Sequence, residues 1–397
     1  MKPEIYLDNN ATTHPSDEVR EALSTAINQD FGNASSEHRS GEKTRRAIMQ
    51  ARDSVALLLG AKSESIVFGS GVTELNYWVL TNALRGHQSP HLVTSQVEHS
   101  CVIETANILE AEGIRVTRMP VGRDGRLDID SLTAAVADGG TFVSVQWANN
   151  ETGVIQPIRE IAAICRRFKV PFHCDAAQAT GRLRVNFSGT GIDYLTASAH
   201  KMHGPTGIGA LCVKEPRTLQ PLFRGGNQET GLRPGTENTL GIIGFGRAAS
   251  EREGSFDAAV EVITKLRDQF ESLVLSAIPQ IEINGSTEDR LCNSTNMMFP
   301  GLDGAAIVAL LDREGIRCSQ SSACTSNRPE PSYVLRAMGL SEDEAFASVR
   351  FSFSNQNTMV EVETAAAKLV SIVARLSGFQ SPPSQSDYLQ GAAKHEV

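Results

Sequence analysis

The chain has 397 residues, too many for one hydrophobic core, so two or three domains are expected. Charged residues make up 21% and hydrophobic residues 40%, the balance of a folded globular protein rather than a disordered one. A formal net charge of −9 argues against nucleic acid as a main partner, because phosphate binding needs a basic face, although a local basic patch stays open.

The first residues, MKPEIYLDNNATTHP, contain no apolar stretch of signal-peptide length. No run elsewhere reaches the ~18 apolar residues of a membrane span, so the expected location is cytoplasmic, with no membrane partner. Cys101, Cys165, Cys174, Cys212, Cys292, Cys318 and Cys324 are odd in number, scattered and never spaced C-x-x-C, so neither a disulfide framework nor a metal site is indicated. Most of them read as small buried residues.

From Ile66 to Val213 short apolar runs alternate with helical patterns. SIVFGS precedes a helical pattern from Val72 to Leu84, HLVTSQ one from Cys101 to Glu112, IRVTRMP one from Ser131 to Val136, and TFVSVQW one from Ile158 to Phe168. PFHCD, DYLTASA and IGALCV read as further strands. This alternation predicts an α/β fold, a large domain with a mostly parallel sheet covered by helices.

From about Phe256 the order changes. A long amphipathic helix carries Val260, Ile263, Leu266, Phe270 and Leu273, the segment TNMMF follows, and Asp303 starts a helix that Gly315 stops. IRCSQ and SVRFSFS read as strands around a helix ending near Met338, and a last helix runs from about Met359 to Gly378. The expected organisation is an N-terminal segment over 1–15, a large domain over 16–255, a smaller α+β domain over 256–380, and a polar tail over 381–397 that reads as mobile or partner-dependent. There is no internal repeat.

The chemistry centres on the stretch from Phe172 to Lys201. One strand ends in Asp175 and the next ends in His200 and Lys201, and open α/β sheets bind ligands at such carboxyl ends. An aspartate facing a ring nitrogen and a lysine able to form an imine are the groups a pyridoxal 5′-phosphate (PLP) site requires, although a surface Asp and Lys after ordinary strands would read the same way. GSGVTE follows a strand and opens a helix, so the N–H groups of Gly71, Val72 and Thr73 form an anion site or a tight turn capped by Thr73. No Walker lysine follows, which excludes nucleotide hydrolysis by that motif. His99, Asn150 and Gln178 also fall directly after strands. Each alone fits a structural role, but together with Asp175 and Lys201 they converge on one sheet edge. Cys324 lies in the Ser-rich SSACTS, followed by SNRPEP, an expected exposed loop that suits a reactive thiol.

The motifs YLDNNATT, SGVTE, EHS, NNETG, HCDAAQ, SAHKMHGPTGIGAL, RPGTEN, SSACTS, EPSYVLRAMG and SVRFSFS, in this order over nearly the whole chain, resemble the cysteine desulfurases of the NifS/IscS group, which are class-V-aminotransferase-like. The resemblance implies a PLP-dependent homodimer of fold type I. It would convert L-cysteine to L-alanine and pass the sulfur, through an enzyme persulfide, to an acceptor protein such as an iron–sulfur scaffold. It also implies that Lys201 holds PLP as an imine, Asp175 pairs the pyridine nitrogen, Gln178 the ring hydroxyl, and that His99 stacks on the ring as a further catalytic group. Thr73, Ser198 and His200 would hold the phosphate with Val72, Thr236 would reach it from the other subunit, and Asn150 and Arg350 would hold the substrate carboxylate. Cys324 becomes the sulfur-accepting nucleophile.

The chain departs from the family pattern at Leu75-Asn76-Tyr77, which puts one wall of the site in question, and at His14, which follows ATT where Pro is usual. The spacing between Cys324 and EPSYVLRAMG resembles that of the long-loop, IscS-like subgroup. A PLP aminotransferase or selenocysteine lyase would share Asp175 and Lys201 without needing Cys324. A cofactor-free sulfur-relay scaffold is the non-enzymatic alternative, which the presence of Lys201, Asp175, Arg350 and Cys324 opposes.

Overall fold

Apolar runs of four or five residues, too short for helices and bounded by polar turns, become the strands of a seven-stranded sheet. The computed structural model describes residues 4–28, 32–85, 87–320 and 330–378, so Cys324 and the expected tail lie outside the described residues. In chain order the N-terminal part carries β1 (Ile5–Tyr6), α1 (Asp17–Asn28), α2 (Arg39–Leu59), β2 (Ile66–Gly69), α3 (Val72–Ala83), β3 (His91–Ser95), α4 (Ser100–Ala111) and β4 (Arg115–Met119). Then come α5 (Ile129–Ala137), β5 (Phe142–Gln146), α6 (Ile158–Phe168), β6 (Phe172–Asp175), α7 (Phe187–Thr190), β7 (Tyr194–Ser198) and β8 (Gly209–Val213).

The sheet order is β2-β8-β7-β6-β5-β3-β4, and β8 alone runs antiparallel to its neighbours. Helices cover both faces, which is why these strands read as continuous apolar runs rather than alternating ones. Val143, Val145, Cys174 and Leu195 face one core with residues of α2, α6 and α8, whereas Leu92, Phe142 and Leu211 face the other with Trp78 of α3 and Leu109 of α4.

The C-terminal part carries α8 (Thr239–Ala277), β9 (Glu282–Ile283), β10 (Ser294–Met298), α9 (Gly304–Arg313), β11 (Ile316–Arg317), β12 (Ser319–Gln320), α10 (Tyr333–Ala337), α11 (Glu342–Phe346), β13 (Ser348–Ser352) and α12 (Met359–Gly378). A four-stranded antiparallel sheet, β12-β13-β10-β9, packs with α9, α12 and the C-terminal half of α8 around Phe270, Phe299, Phe351 and Phe353. The N-terminal segment stitches the two halves together: β1 pairs in parallel with β11, and Asp8 bridges to Ser352. Among the described residues no helix is long and apolar enough to cross a membrane.

Three local expectations change. The sequence reading names no element before Ile66, yet α1 and α2 fill that stretch, α2 running from a His38 cap to a left-handed Gly60. The charges Arg45, Arg46, Arg52 and Asp53 break up its apolar stripe of Ile48, Ala51, Val55 and Leu59. The long helix expected from Phe256 begins instead at Thr239, capped by Asn238, and the expected boundary at 255/256 falls inside it. Its first turns are poor in apolar signal because they are small: a Cβ on Gly246 would fall 2.5 Å from Ala51 Cα, so glycine is what lets α8 lie directly on α2. Finally, IRCSQ divides at Cys318 into β11, which pairs with β1, and β12, which pairs with β13.

Candidate active site

Because β2, β3, β5, β6 and β7 run parallel, the loops after them open on one edge of the sheet, where they enclose a cavity of about 590 Å³. That volume is in the range of a cofactor site. Val72, Thr73, His99, Asn150, Asp175, Gln178, Ser198, His200 and Lys201 line it, and Arg350 reaches it from β13. Thr236 is exposed and outside this cavity, and Cys324 lies outside the described residues.

Asp175, at the end of β6, is buried. Its Oδ1 accepts from the Ala177 N–H at 2.9 Å and its Oδ2 from Asn76 Nδ2 at 2.7 Å. Asn76 is held in turn by the Thr196 hydroxyl, which donates to its Oδ1 at 2.7 Å. The departure at Leu75-Asn76-Tyr77 therefore leaves the wall polar where it counts: Leu75 is fully buried in the core, Tyr77 is exposed, and neither lines the cavity. His14 is also accommodated, its carbonyl 2.9 Å from His203 Nδ1 and its ring 4.8 Å from that of Tyr6.

Lys201 Nζ donates to the carbonyls of Asn10 at 2.6 Å and Ala11 at 2.7 Å. Burial, and then the guanidinium charges of Arg182 and Arg350, push its pKa down to about 7, against the weaker pull of Asp8 and Asp175. Burial likewise drives His200 down to about 4, helped by Lys201 and Arg182. Gln178 Nε2 donates to the Asn10 carbonyl at 2.9 Å, and the buried Arg182 donates to both Gln178 Oε1 and the Asn9 carbonyl.

At the same edge, α3 starts after Gly71, which gives it no side-chain cap and leaves its first N–H groups free for an anion. The close approach here depends on Gly209, where a Cβ would sit 2.9 Å from the Ala197 carbonyl and 3.0 Å from Gly71 Cα.

The small sheet supplies the remaining wall. Arg350 pairs through Nη2 with Asp8 Oδ1 at 2.6 Å and donates through Nη1 to the Asn150 carbonyl at 3.1 Å. Its Nε and Asn150 Oδ1 are buried without a partner in the protein, the mark of a place for a polar ligand. Behind Asn150 the two halves meet over two buried acids. Ser332 Oγ donates to Glu151 Oε2 at 2.5 Å, and the Tyr333 hydroxyl to the Glu98 carbonyl at 2.6 Å. Burial raises Glu151 to about 7 and Glu98 to about 8, partly countered by hydrogen bonds from Ser332 and Ser95 respectively.

Sequence reasoning assigned no role to Asp8, Asn10, Asn76 or Arg182. Asp8 and Asn10 stand in YLDNNATT, and their signal was three consecutive polar residues directly after an apolar strand. Arg182 carries no such signal, since its burial is set by tertiary packing. The ensemble fits PLP: a buried carboxylate for a ring nitrogen, a lysine near neutrality, a helix N-terminus for a phosphate, and two unpartnered polar atoms on the substrate side.

Comparison with known proteins gives a consistent picture. The class-V aminotransferase family matches residues 5–364. A cysteine desulfurase of Cereibacter sphaeroides is 43% identical over 375 residues, covering 94% of this chain and 96% of that protein. Among solved structures, a NifS-like protein superposes with a TM-score of 0.88 at 32% identity, over 94% of this chain and 100% of its own. SspA in complex with cysteine does so with a TM-score of 0.78 at 32% identity, over 88% and 99%.

Proposed function

The chain belongs to the class-V aminotransferase family, among its cysteine desulfurases, and on that premise we propose how its own residues take sulfur from L-cysteine, release L-alanine and hand the sulfur to an acceptor protein. The observation that carries the reading is the convergence of Lys201, Asp175, Gln178, His99 and the α3 N-terminus on one cavity with Arg350 across from them.

In this reading Lys201 would bind PLP covalently, with Asp175 for the ring nitrogen, Gln178 for the ring hydroxyl and His99 for the ring face. Thr73, Ser198, His200 and the Val72 N–H hold the phosphate. PLP, when bound, supplies an electron sink for the substrate carbanion. Everything else falls to the chain. Lys201, as a free amine, would be neutral enough near pH 7 to take the α-proton, because its pKa is already near 7. Arg350 Nε, buried without a partner in the protein, is a donor for the substrate carboxylate, which Asn150 would meet through its Nδ2 group, while the unpartnered Asn150 Oδ1 is an acceptor for a donor such as the substrate amine.

The sulfur is taken by Cys324. Its thiolate attacks the substrate sulfur, the carbon–sulfur bond breaks with its electrons staying on carbon, and the sulfur remains on Cys324 as a persulfide. Cys324 follows the cavity-lining Ser319 by five residues, within ~18 Å at the ~3.6 Å per residue that an extended chain allows. The six other cysteines are poor alternatives: burial raises the pKa of each, so they stay thiols at neutral pH.

The finer reading is a cytoplasmic homodimer in which Thr236 completes the partner's phosphate site, with division into a large domain (16–255) and a small one (256–380) linked through α8. Its exposure outside its own cavity supports that role for Thr236. The acceptor would be an iron–sulfur scaffold or a related sulfur carrier. The test is direct: the purified enzyme should show a visible absorption band, borohydride should fix the cofactor on Lys201, and L-cysteine with dithiothreitol, which reduces the persulfide, should give alanine and sulfide in equal amounts. A colourless enzyme that releases no alanine would overturn the reading, and sedimentation showing a fully active monomer would remove the homodimer.

A further inference from the structure

The hydrogen bonds around His99 admit one self-consistent placement of protons. The backbone N–H of Cys101 can only donate, and it donates to His99 Nδ1 at 3.3 Å, so that nitrogen carries a lone pair. Cys101 Sγ lies 3.1 Å from the same nitrogen and must therefore approach it as an S–H donor. The sulfur accepts from Asn76 Nδ2 at 3.4 Å, while the same amide nitrogen gives its other hydrogen to Asp175 at 2.7 Å. Thr196 fixes the amide the right way round by donating to Asn76 Oδ1. With Nδ1 bare, the proton of a neutral imidazole sits on Nε2, the polar atom left for the cavity that His99 lines.

We propose that Cys101 is a positioning residue: with its own backbone N–H and the amide of Asn76, it holds His99 as the neutral Nε2–H imidazole, a hydrogen-bond donor towards the cavity rather than an imidazolium acid. Protonating Nδ1 would cost both hydrogen bonds that it accepts. The surroundings of His99 lower its pKa on balance, although the charged groups taken alone do not. Burial lowers its pKa, Asp175 from β6 opposes this and Lys201 beyond β7 adds to it. Glu98 next to it in the chain is a buried acid raised to about 8, and Tyr333 of α10 gives its hydroxyl proton to the Glu98 carbonyl. Burial pushes the Cys101 thiol up to about 12, so the donor keeps its proton. His99 then meets the cavity as a neutral donor, beside Lys201, whose amine is near neutrality. The catalytic consequence rests on the PLP reading of the cavity, whereas the proton placement does not.

The test is long-range ¹H–¹⁵N spectroscopy of the full-length holoenzyme labelled at histidine nitrogen, from pH 6 to 8, with His99 assigned by the signal lost in His99→Gln. The expected result is an Nε2–H tautomer at neutral pH. Cys101→Ser, which keeps a donor, should preserve the tautomer and the titration midpoint. Cys101→Ala should raise the proton affinity of His99 about threefold to tenfold, the worth of one hydrogen bond to the neutral form, and move the acid limb of kcat with it. A mere packing role for Cys101 would move neither. An Nδ1–H tautomer or an imidazolium at pH 7 in the parent enzyme would overturn the proposal, and so would an unchanged midpoint in Cys101→Ala. The parent spectrum decides the tautomer even if that variant does not fold. An Nε2–H tautomer in a protein without a visible cofactor band would uphold the proton placement and sink the PLP reading instead.

Discussion

The two sheets build the site in different ways. On the large sheet the functional groups stand at or just past the carboxyl ends of strands, where backbone groups and neighbouring amides can hold them: Asp175 by Ala177 and Asn76, Lys201 by the Asn10 and Ala11 carbonyls. The small sheet contributes Arg350 from the middle of β13, and among the described residues that side chain is fixed by reaching across to Asp8 and Asn150. Ionisation differs as well. At the large-sheet edge a buried cation is driven down to about 7, while at the seam between the halves two buried acids are driven up, to about 7 and about 8. The edge is arranged to present a free amine at neutral pH, and the seam is closed by acids that stay protonated further up the pH scale than exposed ones. Cofactor binding should then depend on the edge, and substrate hold on the alignment of the halves.

Breaking the edge should have the largest effect. Lys201→Ala removes both the covalent anchor and the base, so desulfuration should fall by about 10⁴-fold or more, at the upper end of what general acid–base groups contribute. Peptide mapping after borohydride should find no lysine-linked cofactor. A reducible bond at another lysine would break the assignment.

Next comes the thiol that the small-sheet half carries. Cys324→Ser should leave the visible band intact and still cut sulfur release at least about a hundredfold, ~2.7 kcal/mol of barrier, because a serine hydroxyl is scarcely ionised near neutrality. Cys318→Ser should do far less, its thiol being buried and its pKa raised. Parent-rate alanine and sulfide production by the Cys324 variant, with dithiothreitol present for both, would refute the persulfide route.

The wall should give a smaller and different response. Asp8→Asn leaves the Arg350 guanidinium without its charge partner, so the KM for L-cysteine should rise about tenfold, ~1.4 kcal/mol, with the visible band unchanged and kcat less affected. Equal losses in kcat and cofactor binding would mean that Asp8 serves the edge rather than the wall.

The same contrast explains what could be read from the sequence. The large sheet was legible because local signals fix it: the alternation of strands and helices, and polar residues at strand ends such as His99, Asn150, Asp175 and Lys201. What escaped depends on partners far away in the chain. The N-terminal half of α8 hides behind Gly241, Gly244 and Gly246, the last of them small because Ala51 of α2 lies against it, and α2 is visible mainly by what it packs on. Asp8 and Arg182 acquire their roles only when β1 pairs with β11, Asp8 bridges to Ser352 of β13, and the loop after β6 folds over Asn9 and Asn10. Asn76 was visible as a departure from a family pattern, but nothing in the sequence shows that its amide reaches Asp175.

The seam should yield the smallest effect, and one that shows in stability rather than rate. Glu151 has a folded-state pKa of about 7 against an ordinary 4.5. Between those values the folded protein holds a proton that the unfolded chain has released, so stability falls as the pH rises through this window and levels off above about 7. Glu151→Gln keeps an acceptor for the Ser332 hydroxyl and has nothing to ionise, so it should lack this loss. Relative to the parent, the variant should gain with rising pH, by on the order of 1–2 kcal/mol between pH 5 and 7.5, read from urea midpoints at the two values. Glu98→Gln should show the same sign with the window extended towards pH 8, since burial carries Glu98 to about 8. Parallel pH profiles for parent and Glu151→Gln would mean that the acid is already ionised at pH 5, and the seam would then be held by a charged group like those at the edge.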